Sequence, residues 1–396
     1  MNERTSAVRE GSFALPGVRV LLISLAHGAN DMYAAFLPTF IPYIKETLGL
    51  DYALSGTLSL IVGFCHIIVQ PMTGYLSDRT RRPWLLMFGP LLCGFGAIMI
   101  PNARSYAWAL LFAALWGIGS ALYHPQGSGG VGYVSRPERL AFSLTVFNIF
   151  GTLGVLVSPI VAVNTVRALG HNGLWVTLLP PLLLAPMIFI SMPYLREAGT
   201  LRSASHSSFV RDFGSMFLLL FPIWAVSFLR DLVFQGVRFF LPLKAAAEGG
   251  SLDEIGTMLF LITLGGTVTM IPVERLARRV SFKRILLVSM SLGSLLLLGA
   301  GSARGLVSTL LYIAGVSCVY ATMPLTVVLA QRLLPQARSV ASSVVMGLSW
   351  GTANAALYPM GMAADALGVQ SALLILGALP LLALSFFLSP TFRKLE

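Results

Sequence analysis

Three polar side chains interrupt the first long apolar stretch of the chain, and their types and spacing suit proton transfer. His27, Asn30 and Asp31 lie within LAHGANDMYAAFLP, residues 25–38. His27 precedes Asn30 by three residues and Asp31 by four, so in a helix the three side chains share one face. Imidazole titrates near neutral pH. The pattern predicts that Asp31 carries a proton and that His27 adjusts its release, the alternative being a local polar clamp between helices.

A second polar stripe lies in FLRDLVFQGVRFFLP, residues 228–242. Asp231, Gln235 and Arg238 are spaced four and three residues apart and form one stripe, while Arg230 lies about 100° around the helix from Asp231. A guanidinium offers a planar fork that matches a carboxylate or phosphonate. We therefore expect Arg230, Gln235 and Arg238 to bind an anionic substrate, and Asp231 to hold the arginines and take part in proton coupling. The alternative is an Arg–Asp pair that only neutralises itself.

Further polar side chains fall within apolar segments and complete the set of candidate substrate-binding groups. His66 and Gln70 are again four residues apart, and His124 precedes a proline that frees backbone carbonyls for bonding to the ring. The alternative for His66 is a packing or lateral-gate residue, and the alternative for His124 is a ring that only bonds to a backbone carbonyl. The remaining candidates, with Asn30 from the first stretch, are Tyr123, Gln126, Asn148 and Asn354.

The composition requires that these groups be placed within a membrane. Of the 396 residues, 56% are hydrophobic and 11% are charged, and the mean hydropathy is +0.80. A soluble protein has about 25% charged residues. Cys65, Cys93 and Cys318 show no spacing typical of a disulfide or a zinc site, and we expect packed thiols. The chain is therefore predicted to be a multi-pass membrane protein without metal or cofactor.

Polar residues, prolines and glycines divide the chain into twelve apolar segments. Each approaches the roughly 20 residues that a helix needs to cross the hydrocarbon core. We number them as spans 1 to 12: 18–43, 53–77, 84–101, 106–134, 140–163, 172–194, 213–242, 254–273, 284–302, 305–331, 338–363 and 369–389.

The spans fall into two similar halves. The longest polar connection, a central loop over 196–212, separates a six-helix bundle over 1–195 from another over 213–396. AAFLP, ending at Pro38, resembles RFFLP, ending at Pro242. Two six-helix bundles around a substrate path form the architecture of transporters that work by alternating access.

The basic residues indicate the orientation. Most of the 27 Lys and Arg residues fall in the tails and the loops on one side, and five fall on the other side. Positive charge marks the cytoplasmic side. We expect an inner-membrane protein with both termini and the central loop in the cytoplasm, and the net charge of +11 does not indicate a nucleic-acid partner.

The loop after span 2, GYLSDRTRRP, carries a family resemblance. It is similar to the G-x-L-a-D-R-x-G-R-R loop of the major facilitator superfamily, with Arg81 in place of the second glycine. PVERLARRVSFKR occupies the equivalent loop of the second half. The resemblance implies that these loops form a conformational latch. The residues expected to gate are Gly74, Asp78, Arg79, Glu274 and Arg275.

Span 5 contains a weaker pattern. GVLVSPIVA, residues 154–162, resembles the antiporter pattern G-x-x-x-G-P-x-x-G. Gly154 and Pro159 match, while Ser158 and Ala162 stand where the pattern has glycine.

A more specific resemblance is to the fosmidomycin resistance family. That family has a histidine and an Asn-Asp pair in span 1, Gln-Pro before the loop after span 2, and His-Pro-Glu in span 4. Gln126 stands where the family has glutamate, so one proton carrier is missing. The resemblance implies proton-driven efflux of small molecules, including a phosphonate antibiotic. The matching residues are His27, Asn30, Asp31, Gln70, Pro71, His124 and Pro125.

The sequence thus predicts a monomeric secondary transporter that exports a small anionic or amphipathic compound against protons. The expected partners are the substrate, protons and the lipid bilayer. The sequence contains no P-loop, so ATP is not expected to drive transport directly. Two alternatives stay open, namely proton-coupled uptake of an organic acid and transport of a divalent transition metal by His27 and Asp31. An enzyme is not expected, because no nucleophile–base motif is visible.

Overall fold

A computed structural model describes residues 17–77, 82–136, 139–195, 206–334 and 338–393. Within these ranges the secondary structure is entirely helical. A 3₁₀ segment, His171–Leu178, leads into the last helix of the first half. The helices of this half are α1 (Val18–Asp31), α2 (Phe36–Leu48), α3 (Tyr52–Ser77), α4 (Trp84–Met99), α5 (Tyr106–Val134), α6 (Leu140–Leu169) and α7 (Leu179–Ser191).

The second half contains longer and more interrupted helices. A π-helical segment, Val344–Leu348, joins two of them, and a 3₁₀ segment, Leu379–Leu382, joins two others. The helices are α8 (His206–Ala247), α9 (Leu252–Leu276), α10 (Phe282–Ser302), α11 (Gly305–Tyr320), α12 (Met323–Leu333), α13 (Arg338–Ser343), α14 (Ser349–Ala355), α15 (Leu357–Leu367), α16 (Val369–Ala378), α17 (Ala383–Phe386) and α18 (Pro390–Arg393).

The predicted class, an all-helical membrane protein, is confirmed, while the count of twelve spans is met only in part. In the described ranges, 10 helical stretches are long and apolar enough to cross a membrane. The helix for span 3, Trp84–Met99, is apolar but shorter. The region of span 11 is divided among α13, the π segment, α14 and α15.

Span 1 is not the single continuous helix that the apolar pattern predicted. α1 ends at Asp31, residues 32–35 form a turn, and α2 follows. Pro38 has no N–H to donate to the carbonyl one turn earlier, and its ring crowds that turn. The amide of Ala35 donates instead to Ser158 Oγ of α6 at 2.9 Å. Ser158, which stands where the antiporter pattern of span 5 has glycine, thus stabilises the break between α1 and α2. The break places Asp31 at the end of α1.

The two halves of the chain pack closely along α3. A Cβ atom at Gly56 would lie 2.5 Å from the carbonyl oxygen of Leu357, and one at Gly63 would overlap the carbonyl of Gly351. Small residues allow such close approach of membrane helices. α3 therefore contacts α14 and α15 at the level of the backbone.

Candidate functional site

Asp31 lies between two histidines from different helices, and we call these three side chains the acid–histidine cluster. His27 Nε2 is 3.2 Å from Asp31 Oδ2, and His124 Nε2, from α5, is 3.3 Å from Asp31 Oδ1. Asn30 Nδ2 donates to Asp31 Oδ1 at 3.0 Å. His27 is buried, whereas the Asp31 side chain keeps 18% of its surface exposed. The carboxyl group is thus enclosed by polar groups and still open on one side.

The hydrogen bonds of the two imidazoles fix how many protons the cluster can hold. His27 Nδ1 donates to the carbonyl of Phe147 and His124 Nδ1 donates to that of Ser120, each at 2.8 Å. Because a carbonyl oxygen only accepts, each Nδ1 carries its own hydrogen. In a neutral ring Nε2 would then point a lone pair at a carboxylate oxygen. The contacts with Asp31 therefore need at least one further proton, on Asp31 or on an Nε2, and they have room for two.

Aromatic and small residues hold the His27 ring in place. Phe147 stacks on it with the ring centroids 3.9 Å apart. A Cβ atom at Gly151, one turn further along α6, would overlap the imidazole. Tyr123 is fully buried and its hydroxyl donates to the carbonyl of Ile23 at 2.6 Å. Tyr123 thus joins α5 to α1 beside the cluster.

His66 extends the polar region toward the second half. Its Nδ1 is 3.0 Å from Gln70 Oε1, and its Nε2 is buried without a partner among the described residues. The ring lies edge-on to Trp350 of α14, with centroids 4.6 Å apart, and 6.2 Å from the ring of His124. His66 therefore stands between the acid–histidine cluster and α14.

Arg230 and Asp231 form a closed pair. The guanidinium donates from Nε and Nη2 to both carboxylate oxygens, at 2.8 and 2.9 Å, although the residues are adjacent in sequence. Nη1 donates to Thr326 Oγ1 at 2.7 Å, and Ser349 Oγ donates to Asp231 Oδ2 at 2.6 Å. Arg230 is 1% exposed. Arg230 and Asp231 start about 100° apart around the helix. The arginine side chain is long enough to reach back, so the guanidinium and the carboxylate still form a pair.

The π-helical segment supplies part of this network. The carbonyl of Val345 accepts from Arg230 Nη2 at 3.4 Å and from Ser349 Oγ at 2.7 Å. π-helical segments are rare and are frequently found at functional sites. The pair thus joins α8, α12 and the interrupted span 11, and every charge in it is compensated.

Arg238 is buried without such compensation. It is 3% exposed, and Nη1 donates to Gln235 Oε1 at 3.2 Å. Its Nε and Nη2 have no hydrogen-bond partner among the described residues, and the guanidinium lies 5.0 Å from the Phe234 ring. Gln235 Nε2 donates in turn to Asn354 Oδ1 at 3.1 Å. Buried charges are normally paired, so Arg238 has two donors and a positive charge available for an anion.

A small cavity lies between the halves beside Arg238. It measures about 20 Å³, which is room for about one water molecule. A larger compound reaches Arg238 only if the surrounding helices separate. The lining residues are Ala34, Leu37, Pro38, Ser59, Val62, Trp116, Gln235, Arg238, Phe239, Trp350, Asn354 and Leu357.

Other predicted site residues lie elsewhere. Gln126 is buried, accepts from the amide of Leu86 at 2.9 Å and donates to the carbonyl of Arg82 at 3.2 Å, so it caps the start of α4. Asn148 is exposed on α6. Neither arrangement places the side chain in the acid–histidine cluster or beside Arg238.

The predicted gating residues are only partly described. Gly74 lies in α3, and Asp78 and Arg79 lie outside the described residues. Glu274 and Arg275 are exposed at the end of α9, where Glu274 lies 3.9 Å from Arg278. The latch at these loops remains a prediction.

Asp365, at the end of α15, is a further functional candidate that the sequence pattern does not indicate. Its Oδ1 and Oδ2 accept from the amides of Tyr52 and Ala53, each at 2.8 Å. These amides belong to the first turn of α3, whose hydrogen-bonding groups have no partner within the helix. Asp365 thus ties the second half to the first. An acidic residue beside Gly368 looks like ordinary loop polarity, so no signal in the sequence identifies it.

The family model described as Major Facilitator Superfamily matches residues 23–358. An uncharacterized MFS-type transporter, YfnC, of Bacillus subtilis (strain 168) is 23% identical, over 98% of this chain and 98% of the relative. The fosmidomycin resistance protein of Escherichia coli (strain K12) is 23% identical, over 94% of this chain and 92% of that protein. Both relatives therefore match across nearly their whole length.

Solved structures share the fold. A bacterial homolog of the human lysosomal transporter Spinster, in an inward-facing and unoccupied conformation, has a TM-score of 0.79 at 14% identity, covering 97% of this chain and 99% of that one. A D-xylose-proton symporter has a TM-score of 0.74 at 16% identity, covering 93% and 96%. At these identities the likeness concerns the fold alone.

Proposed function

The chain belongs to the Major Facilitator Superfamily, and from that premise we propose that it couples the movement of protons to the export of a small anionic compound. It is a transporter in a membrane and not an enzyme. The observation that carries the proposal is the acid–histidine cluster, whose geometry requires at least one proton beyond those on the two Nδ1 atoms. Because the cluster also has room for a second such proton, it can take that proton up and release it, and so couple proton flow to a conformational change.

Arg238 supports an anionic substrate. Its two unpartnered donors and its uncompensated charge match a carboxylate or phosphonate. The relative of Escherichia coli is named for resistance to fosmidomycin, and we propose a phosphonate of that kind as a test substrate. Arg230 has a structural part in this proposal, since Asp231 already neutralises it.

Replacement of Arg238 is expected to weaken anion binding. Arg238→Gln removes a charge-assisted contact, and the loss should be about 1.5–3 kcal/mol, or roughly 10- to 150-fold in the dissociation constant. Fosmidomycin binding to the purified protein, measured by calorimetry, checks this. Lys244→Gln is the matched control on α8, because Lys244 already pairs with Glu248 at 3.5 Å. Unchanged fosmidomycin binding by Arg238→Gln would remove the basis for an anionic substrate.

A continuous series of contacts connects the two sites. From His124 it passes through His66 to Trp350, whose carbonyl accepts from Asn354 Nδ2 at 3.0 Å. Asn354 then bonds to Gln235, and Gln235 to Arg238. We propose that anion binding at Arg238 and proton binding at Asp31 influence each other through these residues, because His66 and Trp350 meet at the interface between the halves.

Asp365 is proposed to hold the transporter closed at the start of α3. Asp365→Asn keeps one acceptor but loses the negative charge that favours a helix N-terminus. Loss of a helix cap costs about 1 kcal/mol. The population in which the start of α3 is separated from the end of α15 should therefore rise about fivefold. Spin-label distances between the start of α3 and the end of α15 report that population.

Asp253→Asn is the control for this measurement. Asp253 also joins the halves, through Arg167 at 3.9 Å, but both side chains are more than half exposed. Such pairs contribute little. If Asp253→Asn opens the protein as much as Asp365→Asn does, the helix cap has no special part in closure.

Transport of a divalent metal is the second candidate. The ligand atoms of His27, Asp31 and His124 all lie within 4.8 Å of one another, which suits a transition metal. The buried charge of Arg238 argues against a cationic substrate. Zinc-dependent transport by proteoliposomes, without any response to fosmidomycin, would favour the metal over the anion.

A further inference from the structure

We propose that a pocket at the start of α1 binds the phosphate headgroup of an anionic phospholipid. The pocket has a volume of about 450 Å³ and lies where α1 begins, α5 ends and α6 begins. This volume is within the range of small-molecule sites. Nothing in the proton and anion sites described above involves these residues.

The charge of the pocket suits a phosphate. Arg19, Arg136 and Arg139 line it, and no acidic residue does so among the described residues. Among the described residues, Arg19 forms a side-chain hydrogen bond only through Nε, which donates to the carbonyl of Ser191 at 3.1 Å. Neither Arg136 nor Arg139 forms an ion pair within the part of the chain that the structure describes. Three guanidinium groups are thus available on one side of the molecule.

Backbone and hydroxyl donors add to this charge. α1 and α6 both begin at the pocket, and neither has a side-chain cap. Their first-turn amides lack partners within the helix, and helix N-termini favour anions. Ser135 also lines the pocket, and its Oγ is buried without a hydrogen-bond partner among the described residues. The Ser135 hydroxyl is thus an unused, buried donor at the pocket.

Exposed apolar residues favour a lipid over a free phosphate ion. Val18 and Phe142 line the pocket and are 69% and 41% exposed. Each begins an exposed apolar stripe along its helix, because residues three, four or seven positions apart share one face. The stripes consist of Val18, Leu21 and Leu25 on α1, and of Phe142, Ile149 and Leu153 on α6. Acyl chains attached to a bound headgroup can lie along these stripes.

The test uses the purified full chain in a neutral detergent. Thermal stabilisation is titrated with short-chain phosphatidylglycerol, with phosphatidylcholine of the same chains, and with glycerol phosphate. We expect phosphatidylglycerol to bind most tightly. Phosphatidylcholine should bind more weakly, because its choline group carries a positive charge that the arginines repel. An arginine near the membrane surface contributes about fivefold in affinity, so Arg136→Gln with Arg139→Gln should weaken phosphatidylglycerol binding roughly 25-fold.

Arg279→Gln is the control, because Arg279 is an exposed arginine of the second half. An equal loss in that variant, or unchanged affinity in the double variant, would overturn the site. Equal binding of phosphatidylcholine would show that the anionic charge is not recognised. If glycerol phosphate binds as tightly as phosphatidylglycerol, the ligand is a soluble phosphate and the lipid assignment is wrong.

Discussion

Asp31→Asn is expected to abolish uphill, pH-driven transport while leaving a folded protein. The amide has nearly the shape of the carboxyl group and can donate to one of the two Nε2 atoms, so the cluster keeps part of its hydrogen bonding. It cannot take up or release a proton. In proteoliposomes with an imposed pH gradient, accumulation of fosmidomycin should fall to the level of protein-free vesicles, while exchange down a substrate gradient should persist.

Asn30→Ala is the control for this variant. Asn30 donates to the same carboxyl oxygen from the neighbouring position, but it carries no titratable proton. Its loss should alter the pH dependence of transport without abolishing coupling. A purified Asp31→Asn protein that still concentrates the substrate would make Asp31 a structural carboxylate, and His27, His124 or Asp231 would then have to carry the proton.

Asp231→Asn is expected to destabilise the folded protein more than any other substitution proposed for these sites. The substitution leaves the Arg230 guanidinium, 1% exposed, without a counter-charge. Removing one partner of a buried ion pair costs about 3–5 kcal/mol. Unfolding of the detergent-solubilised protein, followed by the fluorescence of a thiol-reactive dye, should shift to much lower temperature.

Two further variants test whether the uncompensated charge of Arg230 causes the loss of stability. Asp253→Asn removes an exposed partner and should cost about 1 kcal/mol or less. Arg230→Met combined with Asp231→Asn removes both charges and should recover much of the lost stability. A stable Asp231→Asn protein that fails to transport would instead place Asp231 in the proton path.

The polar residues of the site could be predicted from the sequence because membrane segments tolerate few of them. His27, Asp31 and Arg238 stand out as costly groups in apolar surroundings, and their helical spacing places them on defined faces. Their partners could not be predicted, since those come from other spans. The contact between His124 and Asp31 depends on how α5 packs against α1, and spacing within one helix contains no information on that packing.

The separate roles of the two arginines in α8 show the same limit. The pattern treats Arg230 and Arg238 alike, and only tertiary packing supplies Thr326 and Ser349 around one of them. The break after Asp31 depends likewise on Ser158. Its hydroxyl accepts a hydrogen bond from the amide of Ala35, which lies 123 positions away in the sequence. A proline indicates that a helix can break there, but it does not show which side chain stabilises the break.

The most direct test of the central claim, that the cluster around Asp31 couples protons to an anion, is the pH change caused by substrate movement. Proteoliposomes are loaded with fosmidomycin and a pH-sensitive dye and diluted into substrate-free buffer without an imposed pH gradient, and efflux and internal pH are recorded together. We predict that efflux acidifies the lumen as protons enter in exchange, and that Asp31→Asn permits efflux without acidification. Efflux of fosmidomycin through the unaltered protein at constant internal pH would contradict the account.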